Sequence, residues 1–234
     1  QKCLASSGVG SRRKCEEYIK QGRVQVNNIV IKELGTKIDS DIDQIKFDGQ
    51  RIKQERKYYF ALNKPKGFIC STQDSFGRKK TTDIFNNISA RLYTVGRLDL
   101  NSEGLIFVTN DGDFSNAVLH PRKKINKTYL IVIDEELSEK QLNKIEKGVW
   151  FDGAKSLPAK VQKPIIRIGQ KYQVKITIYE GRNRQLRKMF EILGHKVRKL
   201  TRVNIGCIKL GKLKTGEYRN LSDEEIECFM KGSG

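Results

Sequence analysis

The chain reads as an α+β protein built on a mainly antiparallel sheet, and three observations predict it. Residues 171–178 alternate, with Tyr172, Val174, Ile176 and Ile178 on one side. That is the pattern of a half-buried antiparallel strand rather than the all-apolar run of a parallel one. Leu105-Ile106-Phe107-Val108 is a short apolar run closed by the turn signal Asn110-Asp111-Gly112, as in a buried strand. Leu142, Ile145 and Val149, and again Leu186, Phe190 and Leu193, recur at helical spacing. No internal repeat or low-complexity segment interrupts this pattern.

Taken in order, residues 1–54 form a small α+β module and residues 55–234 a larger domain. Ser11 is placed to cap a helix running to about Gln21, with Gly22 just beyond it. Cys15, Tyr18 and Ile19 share its apolar face, while Arg12, Arg13 and Lys20 face solvent. Val24 and Val26 alternate, Asn27-Asn28 turns the chain, and Ile29-Val30-Ile31 returns as a hairpin. Ile45 and Phe47 begin a further strand before the turn Asp48-Gly49. The basic residues of this module crowd before residue 24, as in a patch rather than an even coat.

Residues 51–57 are a charged joint without Gly, Ser or Pro. Tyr58 to Leu62 then enters the larger domain as a buried strand. Lys64-Pro65-Lys66-Gly67 turns, and residues 68–72 are expected to continue the hairpin. Residues 73–82 are a polar loop whose Arg78, Lys79 and Lys80 suit phosphates. Phe114, Val118 and Leu119 fit a short helix stopped by Pro121. Arg122, Lys123, Lys124 and Lys127 form a second basic cluster ahead of the strand-like run to Ile133. Residues 184–193 are helical and stop at Gly194, with His195 read as capping the last carbonyls. Residues 197–210 and the turn at 214–217 are expected to complete the sheet edge, and Ser222 caps a last helix through Met230.

Composition narrows the function. Forty-six Lys and Arg against 27 Asp and Glu leave a net charge of +19, which favours a polyanionic partner. No apolar run is long enough to span a bilayer, and no basic amphipathic terminal helix suggests a membrane surface. No signal-peptide pattern opens the chain, which begins at Gln1 without a methionine, so a few residues are expected to precede it. The five cysteines are odd in number, widely spaced and without a C-x-x-C, and read as reduced and cytoplasmic. Two histidines, His120 and His195, give a metal site or a Ser-His-Asp triad little material. Residues 206–212 have the spacing of a phosphate-binding loop, but Leu213 stands where its hydroxyl belongs and Ile208 and Leu210 alternate as in a strand, so nucleotide binding is rejected. Residues 110–113 lack the further oxygens of a calcium loop.

Three polar segments remain. Gly96-Arg97-Leu98-Asp99 sits in a loop that feeds into the apolar run at 105, where a carboxylate can be held rigidly. Lys127-Thr128-Tyr129 opens a strand. Gly181-Arg182-Asn183-Arg184-Gln185-Leu186-Arg187 opens a basic helix just after another. Each has a bland reading: a turn or surface ion pair for Asp99, a core aromatic for Tyr129, a solvated helix face for the arginines. In this order together they resemble the RNA pseudouridine synthases, and more narrowly the bacterial ribosomal branch with an N-terminal RNA-binding module. Residues 1–54 are similar to the alpha-L module of a small-subunit ribosomal protein. The resemblance runs from Leu4 to about Leu221.

That resemblance implies isomerisation of a uridine in ribosomal RNA, with the segment 109–121 looking more like the large-subunit enzymes. Such a reaction consumes nothing, so no cofactor, no metal and no nucleotide is expected. The implied partner is ribosomal RNA or a pre-ribosomal particle, met by a monomer without a membrane. Asp99 becomes the catalytic aspartate, adding at C1′ or at C6 or stabilising positive charge on the sugar. Arg187 becomes its buried ion partner, Leu186 the floor beneath the base, and Tyr129 the ring that stacks on it and moves a proton. Arg97 would fill the space of a flipped uridine. Arg182, Arg184 and Lys188 would hold phosphates around the pocket, and Lys64, Lys66, Arg12 and Arg13 are further candidates for RNA contact. Two rivals stand beside this: a non-catalytic RNA-binding or ribosome-assembly protein, which needs none of Asp99, Tyr129 and Arg187, and a nucleic-acid glycosidic hydrolase.

Overall fold

A helix needs its first backbone N–H groups satisfied, and Ser11 does this by accepting from the backbone N of Lys14 at 3.2 Å. The computed structural model describes residues 1–39 and 42–231 as two units. The smaller comprises Gln1–Tyr58 with Asn87–Leu92 and Asn110–Gly112. It starts with helices α1 (Lys2–Ser6) and α2 (Arg12–Lys20). Strands β1 (Val24–Val26), β2 (Ile29–Ile31), β3 (Ile45–Phe47) and β4 (Gln50–Arg51) follow, all neighbours antiparallel in the order β2-β1-β3-β4. Asn27 and Asn28 have φ of 50° and 67°, and Asp48 and Gly49 of 49° and 78°. These two-residue left-handed turns match strand twist. Leu4, Cys15, Ile19, Val24 and Ile45 close the core.

In the larger unit the strands are β5 (Tyr59–Lys64), β6 (Tyr93–Val95) and β7 (Glu103–Thr109), and helix α3 (Gly112–Leu119) follows them in the chain. Strand β8 (Lys127–Ile133), helix α4 (Glu139–Lys147) and the short hairpin β9 (Trp150–Phe151) and β10 (Ala154–Lys155) come next. Then come β11 (Lys160–Ile168), β12 (Lys171–Ile178), α5 (Gln185–Ile192), β13 (Lys199–Ile205), β14 (Ile208–Lys209), β15 (Tyr218–Asn220) and α6 (Asp223–Met230). The sheet runs β11-β12-β8-β13-β7-β5-β15, with β14 on β13 and β6 on β7. Its one parallel pair among the described residues is β13 with β7; the others are antiparallel, as the alternation of residues 171–178 predicts. Phe107, Phe114, Val118 and Phe229 are part of a buried cluster that joins β7 to α3 and α6. Ser222 caps α6 with Glu225 closing a capping box, and three acidic residues in the first turn suit the helix dipole.

Several expectations need correction. Residues 68–72 form no hairpin strand: Gly67, at φ 88°, donates its N–H to the Leu100 carbonyl at 2.8 Å, and Ile69 keeps only a bridge to Lys80. The segment at 199–205 is central rather than an edge; a charged residue inside it, Arg202, is buried and hides the strand's core position. The edges are β11 and β15, and β11 escapes sequence reading because its lysines and Pro164 carry the polar composition of an edge strand. His195 caps through its backbone, its N–H donating to the Phe190 carbonyl at 2.9 Å, rather than through its ring. Gln141 donates to the Leu193 carbonyl at 2.9 Å, and His195 Nε2 lies 3.0 Å from the same amide.

The cysteines are not all reduced, because Cys207, in the β13–β14 turn, is bonded to Cys228 on α6, leaving Cys3, Cys15 and Cys70 free. Twenty-one residues separate the pair, so only the packing of α6 makes it visible, and the cysteine argument for a reducing compartment loses its footing. Among the described residues no helix is long and apolar enough to cross a membrane.

Candidate active site

The site is set by where β13 lies. Arg202 is the register partner of Tyr129 on β8 and of Gly104 on β7, so one residue joins the Tyr129 strand to the strand that the Asp99 loop enters. Gly104 permits this. At φ 108° a Cβ there would stand 2.3 Å from the Arg202 carbonyl oxygen, a separation no side chain tolerates. Arg202, 4% exposed, donates from Nε to the Leu105 carbonyl at 2.7 Å and approaches the Tyr129 hydroxyl at 3.5 Å. Among the described residues its second terminal nitrogen has no hydrogen-bond partner. Sequence reasoning missed this residue; the only signal is an arginine inside an otherwise strand-like run.

Asp99 lies in the loop before β7, with its backbone carbonyl accepting from Ser102 N at 3.0 Å. Lys64 lies beneath that loop. It is fully buried, and its ammonium donates to the carbonyls of Pro65 at 3.0 Å and Ser102 at 2.9 Å and reaches the Asp99 carbonyl at 3.4 Å. Burial pushes its pKa below the usual lysine value. Lys64 therefore braces the Asp99 loop and offers nothing to a phosphate, which corrects the expectation from its place in a turn; Lys66 is exposed. Lys64→Met should strand these carbonyls and destabilise the protein by about 1–3 kcal/mol, the scale of buried polar groups left unpaired. Thermal unfolding checks this, and an unchanged midpoint would show that the brace is idle.

Around Asp99 the expected partners gather, more loosely than a buried ion pair. Arg187 Nε and an Arg184 terminal nitrogen each lie 3.8 Å from the same carboxylate oxygen. Arg187 is held mainly by other oxygens: Val197 O at 3.2 Å, Asn101 O at 3.0 Å and Ser102 Oγ at 3.3 Å. Among the described residues its Nε has no hydrogen-bond partner. Burial, with Arg184 adding repulsion, pushes the Arg187 pKa down against the pull of Asp99. Arg184 adopts φ 49° at the start of α5, a left-handed geometry uncommon in non-glycine residues and favoured at functional sites.

Asp99 and Arg184 line a cleft of about 540 Å³ together with Arg97, Tyr129, Leu186 and Arg202. Arg97 is exposed and Leu186 buried. Lys127 also lines it, its ammonium pKa pushed down to about 8 by burial, with Arg202 adding repulsion. Two carboxylates reach the cleft. Glu180 is engaged, accepting from Gln185 Nε2 at 2.7 Å and from Leu157 N at 3.0 Å. Asp99 faces the guanidinium groups.

Two of the expected phosphate ligands are occupied within the chain. Arg182 donates to the Ala154 carbonyl at 3.1 Å and the Phe151 carbonyl at 2.7 Å, and its guanidinium lies 3.9 Å from the centre of the Phe151 ring. Lys188 pairs with Asp152. Both fasten the β9–β10 hairpin. Arg12 and Arg13 belong to the smaller unit, exposed on α2.

Residues 58–192 match the family model described as RNA pseudouridylate synthase, and residues 1–41 match the S4 domain. Ribosomal large subunit pseudouridine synthase B of Bacillus subtilis is 43% identical over 230 residues, 97% of this chain and 93% of that one. The dual-specificity RNA pseudouridine synthase RluF of Escherichia coli is 35% identical over 98% of this chain and 77% of its own. A crystal structure of a pseudouridylate synthase superposes with a TM-score of 0.69 at 32% identity, over 97% of this chain and 96% of the other. With the family model spanning more than half of the sequence, and relatives alike from end to end, the chain belongs to the RNA pseudouridine synthases, which are isomerases.

Proposed function

We propose that the protein converts a uridine of ribosomal RNA, from the large subunit, into pseudouridine, with Asp99 as the reacting carboxylate and no cofactor. The observation that carries this is the convergence of Asp99, Tyr129 and Arg202 on one cleft, with Arg187 beside Asp99 and the cleft's other carboxylate, Glu180, already bonded. The large-subunit choice is supported by the likeness to the Bacillus subtilis ribosomal large subunit pseudouridine synthase B.

The reaction breaks the N1–C1′ bond, turns the base, joins C5 to C1′, moves a proton off C5 and returns one to N1. No atom is gained or lost. A base inside a stack is out of reach, so the uridine is extruded into the cleft, with Arg97 in the space it leaves. Leu186 supports the ring from below and Tyr129 covers it. Asp99 then bonds to C1′ or C6, or stabilises positive charge on the sugar. Arg184 and Arg187 lower the cost of its negative charge in a partly closed site. Tyr129, its hydroxyl beside Arg202, moves the C5 proton.

The smaller unit supplies affinity. Arg12 and Arg13 are exposed and make no ion pair among the described residues, whereas Lys14 and Arg23 are paired with Glu17 and Asp48. Reversing Arg12 and Arg13 to Glu should weaken RNA binding and flatten its salt dependence by roughly one unit per lost phosphate contact. A salt slope equal to that of the unaltered protein would remove this module from the binding surface. The function itself is tested by mapping pseudouridines in ribosomal RNA from cells with and without the protein. Loss of a large-subunit pseudouridine is expected; loss of a small-subunit one would overturn the subunit assignment, and no loss in either would overturn ribosomal RNA as the substrate.

A further inference from the structure

Away from the catalytic cleft, the larger unit holds a second concavity of about 730 Å³ formed by α4, the end of α5 and the β9–β10 hairpin. Its lining is uneven in a chemically informative way. Trp150 is 66% exposed and Ile192 55%, although large apolar side chains of this kind are mostly buried in a folded domain. Lys140, Lys144, Lys147 and Lys155 stand around them, and no carboxylate lines the concavity. The three lysines of α4 recur every three or four residues and so form one stripe of the helix. Lys155 is the cross-strand partner of Trp150, so the two share a face of the hairpin.

Like charges at that helical spacing repel. Some lysines elsewhere in this unit are neutralised: Lys163 by Glu139, Lys188 by Asp152, Lys199 by Glu103. None of the four around Trp150 makes an ion pair among the described residues. A flat exposed indole ringed by unpaired ammonium groups is complementary to an unpaired nucleotide, whose base stacks on the ring while its phosphates meet the lysines. A duplex keeps its base faces covered and cannot make the same contact. A second copy of a chain of net charge +19 would be repelled from this rim.

We propose that this concavity is a second RNA site, in which an unpaired nucleotide of the substrate stacks on Trp150 and its flanking phosphates lie on Lys140, Lys144, Lys147 and Lys155. The platform is fastened to the catalytic cleft. Arg182 grips both strands of the hairpin through the Phe151 and Ala154 carbonyls, and its own N–H donates at 3.1 Å to Oε1 of Gln185, the first residue of α5, which lines the cleft. Lys188 on α5 holds the hairpin turn at Asp152. A nucleotide seated on Trp150 is thereby held at a fixed reach from Asp99, so the site selects RNAs with an unpaired base at that distance from the target uridine.

The inference rests on RNA being the substrate, and its test reads Trp150 rather than turnover. Trp150 is the only tryptophan of the chain, so intrinsic emission reports this position alone. The intact protein is titrated with an oligoadenylate of about 12 nucleotides, within the span such surfaces bind, which carries no uridine to isomerise. Binding is followed in parallel by anisotropy of the labelled RNA. Saturable quenching is expected, with its midpoint moved about tenfold higher in the double variant Lys140→Glu, Lys144→Glu, and with no quenching by a duplex of equal length. Unchanged emission, or equal quenching by the duplex, overturns the proposal. In turnover, Trp150→Ala should raise KM for ribosomal RNA about tenfold at constant kcat, the scale of one lost stacked base, and Trp150→Phe should restore most of it. An unchanged KM, or a change in sedimentation that assigns the face to self-association, also overturns it.

Discussion

An Asp99→Asn protein is expected to lose isomerisation altogether while it stays folded and keeps its RNA. Asparagine preserves the size and most of the hydrogen-bonding shape of aspartate but removes the charge and the nucleophile. The geometry sets the cost to stability. Arg187 reaches Asp99 only at 3.8 Å, whereas three oxygens from Val197, Asn101 and Ser102 accept hydrogen bonds from its terminal nitrogens. The Asp99 side chain is 28% exposed. Loss of so loose a pair should cost about 1 kcal/mol or less, much less than orphaning a buried cation. RNA affinity should change little, because phosphate contacts elsewhere dominate it. Thermal unfolding and filter binding check both statements. A large drop in melting temperature, with binding lost alongside, would mark Asp99 as a structural residue.

Tyr129→Phe is expected to bind RNA normally and to turn over about a hundredfold more slowly or worse, the scale of a lost acid–base group. Tyr129 is 7% exposed and its ring lines the cleft, so phenylalanine keeps the packing and the face offered to the base. Only the hydroxyl goes, and with it the 3.5 Å approach of Arg202. The effect should therefore fall on kcat rather than KM. Single-turnover rates at saturating enzyme separate the two. A near-normal rate would make the hydroxyl dispensable and leave the ring a stacking or packing role.

Local signals in the sequence were enough for most elements. Ser11 and Ser222 mark helix starts because an N-cap is a local interaction, and the asparagine and Asp-Gly turns are legible because left-handed backbone favours those residues. The three segments that meet in the cleft are legible through family resemblance, and the structure brings Asp99, Tyr129 and Leu186 to one cleft with Arg187 beside Asp99. What could not be read depends on long-range pairing. Lys64 looks like a turn lysine until β7 and the Asp99 loop close over it. Arg202 looks like an ordinary basic strand residue until β13 is placed between β7 and β8. Arg182 looks free for phosphate until the β9–β10 hairpin, whose Asp152-Gly153 turn the sequence reading passed over, folds against it. Charge in a sequence tells that a side chain must be satisfied, not whether solvent, ligand or the chain's own carbonyls satisfy it.

The role of Asp99 is tested most directly by tritium release from ribosomal RNA labelled at uridine C5, because C5 loses its hydrogen only when it becomes the glycosidic carbon. The unaltered protein should release tritium without freeing uracil, which also separates an isomerase from a glycosidic hydrolase. The Asp99→Asn protein, shown to be folded and saturated with the same RNA, should release none. Appreciable tritium release by that variant would remove Asp99 from the reaction and contradict the mechanism built on it.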